Sequence, residues 1–434
     1  MPSWTVYCDD ASVAVEVAQW AAAVDAHVSP EVVRRPLEAA REAARGAGGN
    51  VAAAMLEQPA AESLVELPER VPLALLGAPA TLRHLATDLG HPVVTELRPF
   101  ASLLVLKAIP RPWAASAKAL EPVDRARFTG VLRGPRGSHR LVAADGARVA
   151  LQSDGRRWVV GEARDVAEAL AALAAADREP RPAMPRVEGV DPQSVLDVIL
   201  GPPRTLSDPA SKAVLARYDV PLPIEELCSS PSRAASEASR IGFPVRVALA
   251  SPELRIAEHP DLVAERVENA ARTRDVFRQL MTLAKSRAPH APILGVTVSA
   301  TAASQAALQV RCRAVGDLVV AEVGFADPHG LAAEDRTTIV LPCRAKDLER
   351  ALGRLAGSAL LLDGSAAERR TRVDAIGDAL LRVAALIHDW RAEIASVELR
   401  PLLILLSGEV EVREAYVTVT DAFQRSLESL AAGG

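Results

Sequence analysis

"LSDPASKAVLARYDVPLP", Leu206 to Pro223, opens the half of the chain whose order of elements is most specific. It predicts a helix ending at Tyr218 and then an extended exit, because the residue before Pro221 is biased away from helical backbone. "SPSRAASEASRIGFPVRVALASPEL" follows as a capped helix, a Gly242-Phe243-Pro244 turn and a strand from Val245 to Ala250. Beyond it we expect a helix over Val263 to Ala288, a strand "ILGVTVSA", a strand pair over Leu308 to Val323, and helices over Lys346 to Ala356 and Arg372 to Asp389. A strand "SVELRPLLIL" (Ser396 to Leu405) and a last one, "VEVREAYVTV", close the series. In the first of these, Pro401 should end or bend the extended run.

Upstream lies "REPRPAMPRVEGVDPQ" (Arg178 to Gln193), with four prolines, and then Pro202-Pro203. This proline-rich stretch is the expected boundary, giving residues 1–177 as an N-terminal domain, 178–205 as a linker and 206–434 as a second domain. The first domain alternates strand-like "WTVYC", "VPLALLG" and "HPVVTE" with helical "SVAVEVAQWAAAV" and "PATLRHLATDLG", which predicts α/β layering of Rossmann or flavodoxin type. Asp145-Gly146 and Asp154-Gly155 then signal hairpins, so a meander of three short strands is expected over His139 to Glu162, followed by the helix "RDVAEALAALAAAD".

At 434 residues, two or three domains are the expected organisation. Apolar residues make up 49% of the chain but aromatic ones only 3%, so the cores must be aliphatic. A net charge of -5 excludes a general binder of nucleic acid or anionic membrane. The scarcity of Lys against Arg and Ala points to a GC-rich bacterial source. Cys8, Cys228, Cys312 and Cys343 form no Cys-x-x-Cys pair, and they are expected to be reduced, mostly buried thiols. Lacking a signal-like N-terminus or a spanning apolar run, the chain is expected to be cytoplasmic.

The order of elements after Leu206 resembles the ATP-grasp domain of ADP-forming acyl-CoA synthetases, the acetate–CoA ligase family. Lys212, Leu215, Tyr218 and Pro221 match the family's opening, and Ile241, Gly242, Phe243, Pro244 and Val245 match its Ile-Gly-Tyr-Pro-Val turn. "LLDGSAAERRTRVDAIGDAL" resembles its Leu-Leu-x-Gly-x-Arg-Gly segment, and Ser396 to Pro401 falls where the family reads Glu-Leu-Asp-Ile-Asn-Pro. The resemblance covers Leu206 to Asp421, and implies an ATP-grasp-like C-terminal domain with ATP and Mg as its cofactors.

The groups such chemistry needs are replaced. Phosphoryl transfer depends on cations and Mg²⁺ held against the phosphates. By the resemblance, Ala248 stands at the strand lysine, Ile256 and Ala257 at the loop's His and Lys, and Asp261 and Leu262 at its two glycines. Ala366 takes the place of the Arg in Arg-Gly, Glu398 that of the metal-binding Asp, and Arg400 that of the Asn. Residues two apart on a strand share a face, which favours an internal or cross-strand pair for Arg400 with Glu398 over a solvated Arg400. The expected function is therefore a catalytically degenerate relative, a structural or regulatory binding protein with no catalytic residue, metal or cofactor, working with a protein partner or as a homo-oligomer. The alternative is a working ATP-dependent acyl-CoA ligase whose partner subunit supplies the missing groups. In either case Val296, Val298, Ser299, Glu398 and Arg400 are the candidate lining of a vestigial nucleotide cleft, the first three lying on the strand that resembles the family's adenine-side hinge.

Other constellations carry less. "RGPRGSHR" (Arg133 to Arg140) reads as a hairpin turn rather than a phosphate cradle, and "GAGGN" (Gly46 to Asn50) as a helix end and linker. The eight histidines form no metal pair at helix spacing, no serine sits in a Gly-x-Ser-x-Gly context, and Glu334 with Asp335 reads as solvated loop acid.

Overall fold

The computed structural model describes residues 3–24, 26–45, 50–68, 70–107, 130–134, 137–143, 148–153, 156–176, 181–256, 258–326 and 332–422. The chain forms two compact units, Met1–Pro180 and Arg181–Gly434.

In the first unit, β1 (Ser3–Cys8), α1 (Ala11–Ala22), β2 (His27–Val32), α2 (Pro36–Arg45), β3 (Asn50–Met55), α3 (Ala61–Val65), β4 (Leu73–Leu75), α4 (Ala80–Asp88), β5 (Val93–Val94) and α5 (Leu97–Lys107) alternate strictly. The strands are all parallel in the order β2-β1-β3-β4-β5, the flavodoxin-like arrangement. Two of them, β2 and β3, escaped the sequence reading. β2 is a largely exposed edge strand carrying Pro30, and β3 is "NVAAAM", buried from Val51 to Met55 but built mostly from alanine, which carries little strand signal. The three strands expected over His139 to Glu162 are present, and a further strand precedes them, so that β6 (Gly130–Gly134), β7 (Gly137–Ala143), β8 (Arg148–Ser153) and β9 (Arg156–Glu162) form one sheet before α6 (Ala163–Ala176). "RGPRGSHR" straddles the β6–β7 hairpin, with Gly134 opposite Gly137. Residues 135–136 and the side chains of this segment lie outside the described residues, as do residues 46–49 of "GAGGN".

In the second unit, the proline-rich stretch holds α7 (Pro192–Ile199) and β10 (Arg204–Thr205), and Val195 and Ile199 are fully buried. Then come α8 (Asp208–Ala216), β11 (Glu225–Cys228), α9 (Pro231–Ile241), β12 (Val245–Ala250), β13 (Val263–Val267), α10 (Ala270–Arg287), β14 (Gly295–Ala300), β15 (Ser304–Val315), β16 (Leu318–Ala326), β17 (Ala332–Leu341), α11 (Ala345–Leu352), α12 (Ala359–Leu362), α13 (Ala366–Asp389), β18 (Ile394–Leu405), β19 (Val410–Val412) and β20 (Ala415–Val419). A four-stranded antiparallel sheet, β11-β14-β12-β13, packs one face against α9 and α10. A larger sheet runs β10-β20-β18-β15-β16-β17, with β19 paired to β18, and buries one face under α13 and its neighbours. α13 is long because Ser365 and Glu368 form a capping box and because Val373, Ile376, Leu380, Val383 and Ile387 repeat at helical spacing. Each fully buried leucine or isoleucine there contributes about 2 kcal/mol.

Two expectations are corrected in this unit. Val263 to Val267 is a strand, and the helix starts only after Asn269, whose side chain accepts from Arg272 N. Residues 410–419 break into two strands around Arg413 and Glu414. At Pro401 the run bends, as expected, rather than ending: Leu402 pairs with Leu308 and Leu399 with Val310, so Arg400 and Pro401 together oppose one residue in a bulge, where the missing N–H of proline costs no ladder bond.

Candidate functional site

Strand parity separates the polar face of the larger sheet from its core face. Val397 and Leu399 of β18 point into the aliphatic core, while Ser396, Glu398 and Arg400 alternate with them. The register across the sheet sets Tyr416, Glu398, Arg311, Glu322 and Thr338 in one row. On the smaller sheet the register sets Arg246 of β12 beside Ser299 of β14 and Ala248 beside Thr297, with Ala248 packed into the same apolar cluster as Val245, Val247, Val296 and Val298.

The two polar faces meet. Arg246 Nη2 donates to Glu414 Oε1 at 2.6 Å, and Tyr416 Oη donates to Glu414 Oε2 at 3.0 Å, all with buried side chains. Arg413 Nη1 donates to the Ala300 carbonyl at 3.1 Å, tying the β19–β20 turn to the end of β14. Burial pushes the Glu414 carboxyl up to about 7, against the opposing pull of Arg246. Nearby, the buried Lys212 ammonium lies 2.9 Å from both Asp208 and Glu225; burial works against its charge, and the two carboxylates overcome that and raise its pKa.

Glu398 is the centre of a second cluster. Arg400 Nε lies 2.8 Å from Glu398 Oε2, Arg255 Nη1 3.7 Å from the same oxygen, and Arg311 Nε 3.7 Å from Oε1. The Arg255 guanidinium also stacks 4.7 Å from the centre of the Tyr416 ring. Despite the short Arg400 contact, neither Arg400 Nε nor Glu398 Oε2 makes a hydrogen bond, because the N–H is not aimed at the oxygen. The pair is a charge contact.

Of the candidate lining residues, the structure brings Glu398 and Arg400 together and sets Ser299 near Arg413, whose Nη1 lies 3.5 Å from Ser299 Oγ. It places the Val296 and Val298 side chains in the core under α9 and α10, and the strand that carries them pairs on both sides, with β11 and β12. Ala248 is buried with no cation in its place. Ile256 joins the apolar cluster, Ala257 lies outside the described residues, Leu262 is buried, and Asp261 pairs with Arg287. Asp335 is no solvated loop acid: its carboxylate accepts the Ala356 N–H. Sequence reasoning passed over Arg246, Arg255, Arg311, Glu414 and Tyr416. Arg246 in "VRVALA" and Glu414 in "VEVREAYVTV", charges set among apolar residues, left a signal, since such a charge is retained inside a core only with a partner.

These donors do not suit a divalent cation. Among the described residues no three His, Cys, Asp or Glu side chains form a metal cluster, and the carboxylate on the polar face of β18 is already surrounded by three guanidinium groups.

Residues 201–419 match the ATP-grasp domain family. The beta subunit of the ADP-forming acetate–CoA ligase II of Pyrococcus furiosus is 24% identical over 222 residues, covering 50% of this chain and 92% of that protein. The ADP-forming 4-hydroxybutyrate–CoA ligase of Nitrosopumilus maritimus is 23% identical over 207 residues, covering 47% of this chain and 29% of its own length. Among solved structures, the dinucleotide-forming acetyl-coenzyme A synthetase 1 of Ca. Korarchaeum cryptofilum is similar at 22% identity and a TM-score of 0.43, over 50% of this chain and 93% of that one.

Proposed function

Because the chain belongs to the ATP-grasp domain family, we propose that its second unit is a catalytically degenerate relative of the ADP-forming acyl-CoA synthetase subunit, acting as a structural or regulatory binding protein. The observation that carries this reading is the guanidinium cage: Arg255, Arg311 and Arg400 surround the carboxylate that stands in for the family's metal ligand. Positive charge already fills the space in which Mg²⁺ would neutralise a phosphate, and Ala248 offers no cation from the opposite sheet. The Arg246–Glu414 pair supports the same reading, since it spends a buried arginine on holding the two sheets together.

A protein partner is part of the proposal. One of the similar proteins, that of Pyrococcus furiosus, is a beta subunit, and this also favours the second reading, a ligase completed by another chain. The two readings separate on one measurement. Incubated alone with Mg-ATP, CoA and short carboxylic acids, the protein should form no ADP above the uncatalysed background, and calorimetry should detect no micromolar affinity for Mg-ATP. ADP formation, alone or with an added partner subunit, would return the chain to the enzymes.

A further inference from the structure

The cluster around Glu398 holds more hydrogen-bonding capacity than it uses. Three guanidinium groups, each with five N–H donors, converge on one carboxylate, and among the described contacts none of the three hydrogen-bonds to it. Arg400 Nε is buried without an acceptor, which is costly for a donor attached to a charge. Even with Glu322, the row neighbour of Arg311, counted against them, cations outnumber carboxylates. Such a group of donors has an ordinary occupant, an oxyanion: guanidinium forks match phosphoryl oxygens two at a time, and stacking on Tyr416 holds Arg255 in orientation. Solvent reaches the cluster from the side of Arg311, whose side chain is 52% exposed against 23% for Arg255 and 22% for Arg400.

We propose that Arg255, Arg311 and Arg400 form a binding site for a small phosphoryl anion that carries no metal ion. This rests on the reading of the second unit as a degenerate ATP-grasp domain, and it specifies what the altered site takes. The charge balance is opposite to that of a metal-dependent nucleotide site: excess positive charge repels Mg²⁺ and attracts an anion that Mg²⁺ has not neutralised. Glu398 then acts as the internal competitor, occupying the guanidinium groups until a ligand with more oxygens displaces it.

The probes are inorganic phosphate, pyrophosphate and ATP, titrated calorimetrically into the full-length protein in EDTA and again with excess Mg²⁺. We expect pyrophosphate to bind in EDTA and to weaken severalfold when Mg²⁺ is added. Arg311→Gln, at a half-exposed position where the fold is not at risk, should weaken it at least tenfold. Glu398→Gln should tighten it severalfold, an effect that loss of structure cannot mimic, whereas Arg278→Gln on exposed α10 should change nothing. Equal affinity for ATP and pyrophosphate in EDTA would assign recognition to the phosphoryl group alone, and tighter binding of ATP would extend the site to the nucleoside. Absence of phosphate and pyrophosphate binding in EDTA, or an unchanged affinity in Arg311→Gln, overturns the inference while leaving the degenerate-domain reading standing if Mg-ATP is also inert. Binding that strengthens with Mg²⁺, together with ADP formation, overturns both.

Discussion

Arg246 on β12 and Glu414 between β19 and β20 form a buried ion pair at 2.6 Å that bonds the four-stranded sheet to the larger one. Glu265, 40% exposed, lies 3.2 Å from the same guanidinium and cannot substitute for the buried partner. Removing one member of a buried pair typically costs about 3 to 5 kcal/mol, while apolar replacement of both is often neutral. Arg246→Ala should therefore destabilise the second unit by about that amount in urea unfolding at pH 8, where Glu414 is ionised, and Arg246→Met with Glu414→Leu should recover most of it. A double variant no more stable than the single one would show that the pair matters for packing rather than for charge.

Glu414 also gives the unit a pH dependence with a definite sign. Burial raises its folded pKa to about 7 from the ordinary 4.5, so between those values the native chain holds a proton that the unfolded chain has lost. Its contribution to stability therefore falls as pH rises through this window. The urea midpoint of the wild type should drop more between pH 5 and pH 8 than that of Glu414→Gln; parallel slopes would contradict the assignment.

Arg400 shares Glu398 with two other cations, so its loss leaves the carboxylate compensated. Arg400→Ala should cost only about 1 kcal/mol, near the value of a partly exposed pair. Removing Arg255 as well should cost more than the two single losses combined, because the last compensating charge is then the half-exposed Arg311. Changing Arg400→Asn with Glu398→Asp should yield no ATPase activity in a phosphate-release assay, since Ala248 still offers no cation.

Thiol chemistry should follow burial. Burial, with a smaller push from Asp9, raises Cys8 to about 11, and burial followed by Glu322 raises Cys312 to about 12. Both then remain thiols at pH 8, where iodoacetamide needs the thiolate. Peptide mass spectrometry should show Cys343, only partly buried, alkylated first, with Cys8 and Cys312 labelled after urea is added. Fast labelling of Cys312 in the native protein would mean that β15 opens readily.

Gly295 begins β14 at φ +138°, a conformation that side chains rarely adopt, and an added Cβ would collide with the Cys228 carbonyl oxygen on β11. Gly295→Ala should lower stability by more than about 2 kcal/mol, since backbone on both sides prevents relaxation. A thermal midpoint within a degree or two of the wild type would show that β11 can move.

Local chemistry is what made part of this molecule legible. Gly242 after α9, Asp10 before α1 and Ser230 before α9 act within a few residues of themselves, so the elements they bound could be read in order, and the family's short motifs could be recognised along them. β2 and β3 could not, because an exposed edge strand and an alanine-rich central one are made strands by their neighbours in the sheet. The same limit governed the site. Glu398 and Arg400 lie two apart on one strand, and period-two geometry alone brings them to one face. Arg255 and Arg311, which change that pair into a cage, and Arg246 with Glu414, 168 positions apart, are joined only when two sheets close on each other. Spacing along a chain carries no information about which charges a low-dielectric interior will force together, and here that decision was made by tertiary packing.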